Sequence, residues 1–143
     1  MKIRDIMTRN VEVIHRDTLL KDAAKMMKTL NVGLLPVCDG DRLVRMLSDR
    51  DITVRSTAKG LEPRKTRAGE VMTAEVICCF DDQDIQEGVK LMEEKQIRRL
   101  PVLNRDRLLV GFVSLGDLAV RTGDQDLAGE TVKRVSEPAE PNR

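Results

Sequence analysis

Aromatic residues are almost missing from this chain of 143 residues. It has no Trp and no Tyr, and its two Phe residues are Phe80 and Phe112. Hydrophobic residues still make up 41% of the sequence, which is enough for a globular core. That core must therefore be built from Val, Ile, Leu, Met and Ala. A surface that binds nucleic acid by stacking bases on aromatic rings is excluded.

An excess of one charge is also missing. The chain has 25 Lys and Arg against 24 Asp and Glu, for a net charge of +1. No overall field attracts nucleic acid or anionic lipid, so any anion site must be local. No apolar run approaches the roughly 18 residues of a membrane span, and no signal-peptide pattern opens the sequence. We expect a cytoplasmic protein without membrane contacts.

Residues that bind metals or perform catalysis are few. Cys38, Cys78 and Cys79 form an odd set without a CxxC pair, which favours buried, reduced thiols at core positions over a disulfide framework. His15 is the single histidine, so we predict no metal site. The sequence has no P-loop, GxGxxG turn, GxSxG elbow or HExxH helix. We predict no catalytic residues and no enzymatic activity.

The chain contains one set of motifs twice. Residues 5–8 (DIMT) recur as 70–73 (EVMT), and residues 35–37 (LPV) recur as 100–102, both after 65 positions. A second apolar run in each copy ends in Ser-x-x-Asp, at 48–51 and, one residue further apart, at 114–117. Self-similarity of this kind indicates two structural repeats.

Both copies have the same hydrophobic periodicity between these motifs. Apolar residues fall at i, i+3, i+4 and i+7, which predicts one buried helix face in each. Acidic or hydroxyl residues at 17–18 and 82–84 should start these helices. A hairpin-like strand pair and another helix, ending near Gly60 or Gly123, follow in each copy. The positions on the two buried faces are Leu20, Ala23, Ala24 and Met27, and Ile85, Gly88, Val89 and Met92.

We therefore predict an α/β protein of the α+β type, with two strand-helix-strand-strand-helix repeats. Repeat 1 covers residues 1–60, a linker covers 61–69, repeat 2 covers 70–123, and 124–143 form a C-terminal helix and a flexible tail. That helix would use Leu127, Val132 and Val135 as its apolar face. Because about 60 residues bury too little surface to be stable alone, the repeats should pack through their small sheets.

The ordered motifs resemble those of the CBS-domain family, over residues 2–122. The resemblance implies a stand-alone tandem CBS pair, also called a Bateman module, whose repeats are related by a pseudo-twofold axis. In this family the clefts between repeats often hold AMP, ADP, ATP or S-adenosylmethionine, and the modules usually form homodimers. The implied function is regulatory sensing of an adenine nucleotide, without an obligatory cofactor. The alternative is a dimeric protein-interaction module with no nucleotide ligand and an unidentified protein partner.

The Ser-x-x-Asp motifs are the first candidate site. Their spacing fits a capping box, with Ser48 or Ser114 as N-cap and Asp51 or Asp117 in the first turn. It also fits ligand binding, since a carboxylate can accept both hydroxyls of a ribose. The resemblance assigns Asp51 and Asp117 to the ribose, and the two interpretations do not exclude each other.

Basic residues distinguish the two repeats. Arg98 and Arg99 precede the second Pro-Val strand, where the resemblance implies phosphate contacts; the alternative is a solvated turn. Gly111 stands before the last strand of repeat 2, but Arg45 replaces it in repeat 1, where an arginine could block a pocket or add a phosphate contact. We expect at most one well-formed nucleotide site.

Further candidates are less specific. The base would lie among residues of the first strand of each repeat and of the segment before Pro-Val, held by backbone hydrogen bonds; simple core packing is the alternative. The homodimer would use apolar helix residues that could equally be internal. The base-site candidates are Thr8, Val11, Val13 and Val32 in one half and Thr73, Val76, Cys78 and Ile97 in the other; the helix residues are Met26, Met27, Met92 and Leu118.

Overall fold

The computed structural model describes residues 1–73 and 75–137. Within these residues, six helices and five strands, numbered in chain order, are joined by short helical turns. The helices are α1 (Ile3–Ile6), α2 (Leu20–Leu30), α3 (Asp49–Asp51), α4 (Ile85–Lys95), α5 (Leu115–Arg121) and α6 (Gln125–Val135), and the strands are β1 (Leu34–Asp39), β2 (Arg42–Ser48), β3 (Cys79–Phe80), β4 (Arg99–Leu103) and β5 (Leu109–Ser114). After α3 come a π-helical turn (Ile52–Ser56) and a 3-10 turn (Thr57–Lys59), and another 3-10 turn spans Ala68–Glu70.

The two periodic segments form helices as predicted. In α2, Leu20, Ala23 and Met27 are buried, but Ala24 is exposed. In α4 all four predicted positions are buried. The Asp84 carboxylate caps α4 by accepting from the backbone N–H of Gln86. The start of α2 differs from the prediction, because Leu19 is its N-cap and no side chain caps it.

The sheets are small. Strands β1 and β2 form an antiparallel hairpin, and β4 pairs antiparallel with β5 and parallel with β3. The predicted first strand is wrong in extent. Between residues 8 and 14 the backbone forms only the isolated bridges Thr8–Phe112 and Ile14–Val37, and in the second copy the strand is just β3. One reason is Asn10, whose φ of 58° interrupts the extended backbone.

The chain divides into two compact units, each of which contains the opening segment of the other predicted repeat. Unit 1 combines Met1–Val11 with the chain from Ile77 onward, and unit 2 is Glu12–Val76. In unit 1 the side chains of Ile3, Ile6 and Met7 are buried in the cluster formed by α4, α5 and the second hairpin. Unit 1 therefore takes its opening segment from the predicted repeat 1.

Unit 2 has its own hydrophobic core. Ile14, Leu20, Leu35 and Leu47 are among its most buried residues. Part of the predicted linker belongs to this core: Thr66 is 5% exposed and Ala68 is fully buried. The backbone also joins them, because the Leu20 N–H donates to the Thr66 carbonyl at 2.9 Å.

Helix α6 packs on α4 and α5 in unit 1. The helix was predicted, but its buried face is different: Val135 is buried, whereas Val132 is 42% exposed. Ala128 and Thr131 complete the face. The flexible tail predicted at the C-terminus lies, from residue 138 onward, outside the described residues. No helix in the described part of the chain is both long enough and apolar enough to cross a bilayer.

Candidate functional site

The first Ser-x-x-Asp motif forms a capping box at the junction of β2 and α3. The backbone N–H of Asp51 donates to the Ser48 hydroxyl at 3.0 Å, and the Ser48 N–H donates to Asp51 Oδ2 at 2.9 Å. The Asp51 side chain is thereby fixed, and the residue is only 7% exposed. The capping-box prediction is confirmed, and a buried carboxylate stands at this position.

Two further residues hold Asp51. The Thr73 hydroxyl donates to Asp51 Oδ2 at 2.7 Å, and Nε of Arg55 lies 3.8 Å from Oδ1. Thr73 is held near β2 because its N–H donates to the Met46 carbonyl at 2.9 Å. We call Ser48, Asp51, Arg55 and Thr73 the Asp51 cluster.

The second motif repeats this arrangement in unit 1. Ser114 and Asp117 exchange the same two capping bonds, at 2.9 and 3.1 Å. The Thr8 hydroxyl donates to Asp117 Oδ1 at 3.3 Å, and Nε of Arg121 lies 3.6 Å from the same oxygen. Asp117 is 8% exposed. We call Thr8, Ser114, Asp117 and Arg121 the Asp117 cluster.

The two threonines are exchanged between the repeats. The sequence grouping placed Thr8 with the first half and Thr73 with the second, but Thr8 joins Asp117 and Thr73 joins Asp51. Thr8 reaches Asp117 because its backbone pairs with Phe112, with N–H to carbonyl distances of 2.7 and 2.9 Å. Each cluster therefore needs residues from both repeats.

The two arginines before Pro101 have different surroundings. Arg98 is exposed, and its Nη2 donates to the Ser136 hydroxyl at 3.1 Å, just after α6. Arg99 is half-buried as the first residue of β4, with its guanidinium 4.7 Å from the centre of the Phe112 ring. Its Cα is paired with that of Ser114 in the β4–β5 register. Arg99 therefore lies beside the Asp117 cluster, whereas Arg98 contacts the helix end.

The candidates for a base site do not form one group. Val32 and Ile97 follow the left-handed residues Asn31 and Gln96 that end α2 and α4, and their N–H groups bond back to Met27 and Met92. Both side chains pack on the core of their own unit, as expected after such a helix end. The remaining apolar candidates, Val11, Val13, Val76 and Cys78, are half-buried.

Most of the helix residues considered for a dimer surface are internal. Met27, Met92 and Leu118 are 7%, 1% and 1% exposed, so they pack inside their own units. Only Met26 of that group is half-buried. The exposed apolar side chains are different ones, notably Val54 at 44% and Val120 at 82%. These two valines occupy equivalent positions, three residues after Asp51 and Asp117.

The thiols are in surroundings that keep them protonated. Burial raises the pKa of Cys38 to about 11 and that of Cys79 to about 12. Burial also raises the pKa of Cys78, although Arg107 opposes the shift. Neutral thiols are poor nucleophiles and poor metal ligands. Within residues 1–73 and 75–137, no group of three or more His, Cys, Asp or Glu residues is placed to hold a metal ion.

Arg55 and Arg121 are members of the clusters that the sequence reasoning missed. Each follows its aspartate by four residues, about one helical turn. Each also donates to the carbonyl of the residue before the cluster's threonine: Arg55 to Met72 at 3.3 Å and Arg121 to Met7 at 2.9 Å. The signal was present, because Asp-x-x-Val-Arg occurs at 51–55 and again at 117–121.

Comparison with known proteins gives a consistent result. The chain is 37% identical over 134 residues to the CBS domain-containing protein YhcV of Bacillus subtilis, covering 94% of each protein. A crystal structure of Hypoxic Response Protein I with two coordinated zinc ions is 39% identical, with a TM-score of 0.74 over 83% of this chain and 97% of that one.

Two other solved structures contain adenosyl compounds. The CBS domain pair of protein MJ0100, in complex with 5′-methylthioadenosine and S-adenosylmethionine, is 26% identical, with a TM-score of 0.72 over 86% of this chain and 96% of that one. CBSX2 in complex with AMP is also 26% identical, with a TM-score of 0.70 over 82% and 93%.

The sequence pattern of the CBS domain matches twice, at residues 3–56 and 68–121. Each match includes the threonine at the start of one repeat, Thr8 or Thr73, and the Ser-x-x-Asp motif of the same repeat. The chain therefore belongs to the CBS-domain family, as a tandem CBS pair.

Proposed function

We propose that this chain is a regulatory module that binds an adenosyl compound, such as AMP, ADP, ATP or S-adenosylmethionine, and that it catalyses no reaction. The observation that carries the proposal is the buried aspartate that occurs twice in the same setting of serine, threonine and arginine. The complexes of MJ0100 with S-adenosylmethionine and of CBSX2 with AMP support the ligand class.

The chemistry of the aspartate suits a ribose. An ionised carboxylate has two oxygens with about four lone-pair positions, and it accepts without donating. In the Asp51 cluster, Oδ2 takes both short hydrogen bonds, from Ser48 and Thr73, while Oδ1 has the Arg55 guanidinium at 3.8 Å. Acceptor capacity is therefore left for vicinal hydroxyls, and the fixed side chain loses little entropy on binding.

Calorimetric titration of the purified protein with AMP, ATP and S-adenosylmethionine tests the proposal. Asp51→Ala and Asp117→Ala should each remove a ribose acceptor, at a cost of about 1.5–3 kcal/mol for a hydrogen bond to a charged group. That cost is roughly a tenfold to hundredfold loss of affinity at the affected site.

The matched control is Asp124→Ala. The Asp124 carboxylate caps α6 by accepting from the Leu127 N–H at 2.9 Å, and Asp124 belongs to neither cluster. Asp124→Ala should cost about 1 kcal/mol of stability, as Asp117→Ala also should through its lost cap, but affinity should remain near that of the wild type. Unchanged affinity in both folded aspartate variants would refute the ribose role.

A second candidate function is that of a dimeric protein-interaction module without a nucleotide. The exposed Val54 and Val120, at equivalent positions in the repeats, favour it, because exposed apolar side chains often mark contact surfaces. If the wild type binds none of the three compounds at millimolar concentration, this second function replaces the first.

A further inference from the structure

The two clusters differ in the residue that faces the capping serine. In the β4–β5 register Arg99 is opposite Ser114, and in the β1–β2 register Leu34 is opposite Ser48. Directly opposed residues of an antiparallel pair share one face, with Cβ atoms about 4.5–5.5 Å apart. A guanidinium therefore accompanies the Asp117 cluster, and an isobutyl group occupies the same place beside the Asp51 cluster.

Arg99 is positioned to bind an anion. Its guanidinium stacks on Phe112, whose backbone is bonded to Thr8, so the cation and the Asp117 cluster belong to one bonded arrangement. A guanidinium held over an aromatic ring still has N–H groups that can donate to a phosphate. Among residues 1–73 and 75–137, no carboxylate forms an ion pair with Arg99.

The Asp51 cluster has a negative charge where unit 1 has none. Asp49 follows Ser48, and its counterpart in unit 1 is the apolar Leu115. The Asp49 carboxylate accepts from the Arg50 N–H at 2.8 Å, and its Oδ2 lies 2.8 Å from where a Cβ on Gly33 would stand. Gly33 is the counterpart of Arg98. At the position of the Arg98 cation unit 2 has a glycine, and at the position of the apolar Leu115 it has the Asp49 carboxylate.

Three cations of unit 2 do not compensate for the missing Arg99. Arg55 has its counterpart in Arg121, so it does not distinguish the two clusters. Arg45 lies three residues before Ser48 on β2, so the two side chains leave opposite faces of the strand. Its Nη1 is bonded to the Val44 carbonyl at 2.8 Å. Arg50 is two residues after Ser48, a spacing at which helical side chains do not face each other.

We propose that the two clusters select different adenosyl compounds, which deepens and rests on the function proposed above. The Asp117 cluster takes a phosphorylated adenosine, with the phosphate on Arg99. The Asp51 cluster takes an adenosyl compound without phosphate, either an uncharged thioether or a sulfonium cation. Arg99 and Asp49 are the residues that determine this specificity.

Two probes that share adenosine and differ in the phosphate test the proposal: AMP and 5′-methylthioadenosine. Calorimetry should give one AMP per chain, with affinity reduced at least tenfold by Asp117→Ala and changed less than twofold by Asp51→Ala. Binding of 5′-methylthioadenosine at its tighter site should be weakened at least tenfold by Asp51→Ala and changed less than twofold by Asp117→Ala. AMP binding that depends on Asp51 instead of Asp117 would overturn the proposal.

Replacement of Arg99, the residue opposite the capping serine of the Asp117 cluster, gives the sharpest comparison. Arg99→Leu, which copies Leu34, should weaken AMP at least tenfold and leave 5′-methylthioadenosine unchanged, while Arg99→Lys should recover part of the AMP affinity. An equal loss for both ligands in Arg99→Leu would count against the phosphate role.

A second variant keeps the test valid if Arg99→Leu folds poorly. Asp49→Asn, at an exposed position, retains an oxygen that can accept from the Arg50 N–H and removes only the charge. It should strengthen AMP binding at the Asp51 cluster several-fold when measured in the Asp117→Ala background, and Asp126→Asn on exposed α6 should not. No gain with Asp49→Asn would contradict its assigned role.

The outcomes separate this proposal from the one it rests on. If neither probe binds the wild type at millimolar concentration, the adenosyl function itself fails, and this proposal with it. If both probes bind but neither cluster discriminates between them, the adenosyl function stands and the specificity proposal is refuted.

Discussion

Gly111 is the residue whose substitution should most directly detach the opening segment of the chain from unit 1. It is buried on β5, and a Cβ at this position would stand 2.6 Å from the Thr8 carbonyl oxygen and 2.9 Å from Sδ of Met7. The oxygen cannot move aside cheaply, because Thr8 is bonded to Phe112 through both its N–H and its carbonyl. Gly111→Ala must therefore shift backbone.

The added methyl group can be accommodated in one of two ways. Overpacking of a close-packed interior costs about 1–3 kcal/mol. If the Thr8–Phe112 pair opens instead, two hydrogen bonds of about 0.5–1.5 kcal/mol each are lost. Either way, we expect Gly111→Ala to lower the free energy of unfolding by about 1–3 kcal/mol. The Thr8 contact with Asp117 should be lost as well.

Urea unfolding followed by far-ultraviolet circular dichroism measures this cost, since the chain has no Trp or Tyr for fluorescence. The matched control is Gly129→Ala on α6, where no atom outside its chain neighbours and its own helix backbone lies within 4 Å of the added Cβ. It should stabilise the protein by about 0.4–1 kcal/mol through the lower entropy of the unfolded chain. If Gly111→Ala unfolds at the same urea concentration as the wild type, the close approach of Thr8 is refuted.

Two further predictions concern packing within each unit. Val135→Ala should lower the free energy of unfolding by about 1.5–3 kcal/mol, because Val135 is buried. Val132→Ala should lower it by less than about 0.5 kcal/mol, because Val132 is exposed. Equal losses in thermal unfolding would show that the buried face of α6 is misassigned. Residues 12–76 expressed alone should unfold more cooperatively than residues 1–62, because only the longer-reaching fragment keeps Ala68 and Val71 of its core. A sharp, monomeric thermal transition in fragment 1–62 would refute that reasoning.

The elements with a strong local signal were predictable from the sequence. Helices α2 and α4 follow from the spacing of their apolar residues, and the capping boxes follow from Ser-x-x-Asp. In each case the pattern and the structure involve residues within a few positions of one another. Local chemistry therefore predicted these elements well.

The pairing of Thr8 with Asp117 was not predictable in the same way. The two residues are 109 positions apart, and nothing in either motif specifies its partner. The repeat itself suggested grouping Thr8 with its sequence neighbours. The pairing depends on which hairpin the Thr8 backbone meets in the folded chain, and that hairpin strand is β5, at Phe112.

The buried face of α6 shows a different limit. Leu127, Val132 and Val135 were chosen as apolar, but Thr131 is fully buried while Val132 is 42% exposed. The Thr131 hydroxyl donates to the Leu127 carbonyl at 2.7 Å, so its polarity is satisfied within the helix. Composition alone does not reveal such internal satisfaction.

The exchanged opening segment also sets an order for folding during synthesis. Unit 2 is one continuous stretch, so all of its residues have been made once Val76 is added. In unit 1 the apolar side chains of Ile3, Ile6 and Met7 remain unburied until α4, β5 and α5 have been made, because these elements supply their packing partners. Closing so long a loop is slow, and exposed apolar residues invite association with other chains in the meantime. Residues 1–11 are thus made before the rest of unit 1 and are among its last residues to reach their final positions.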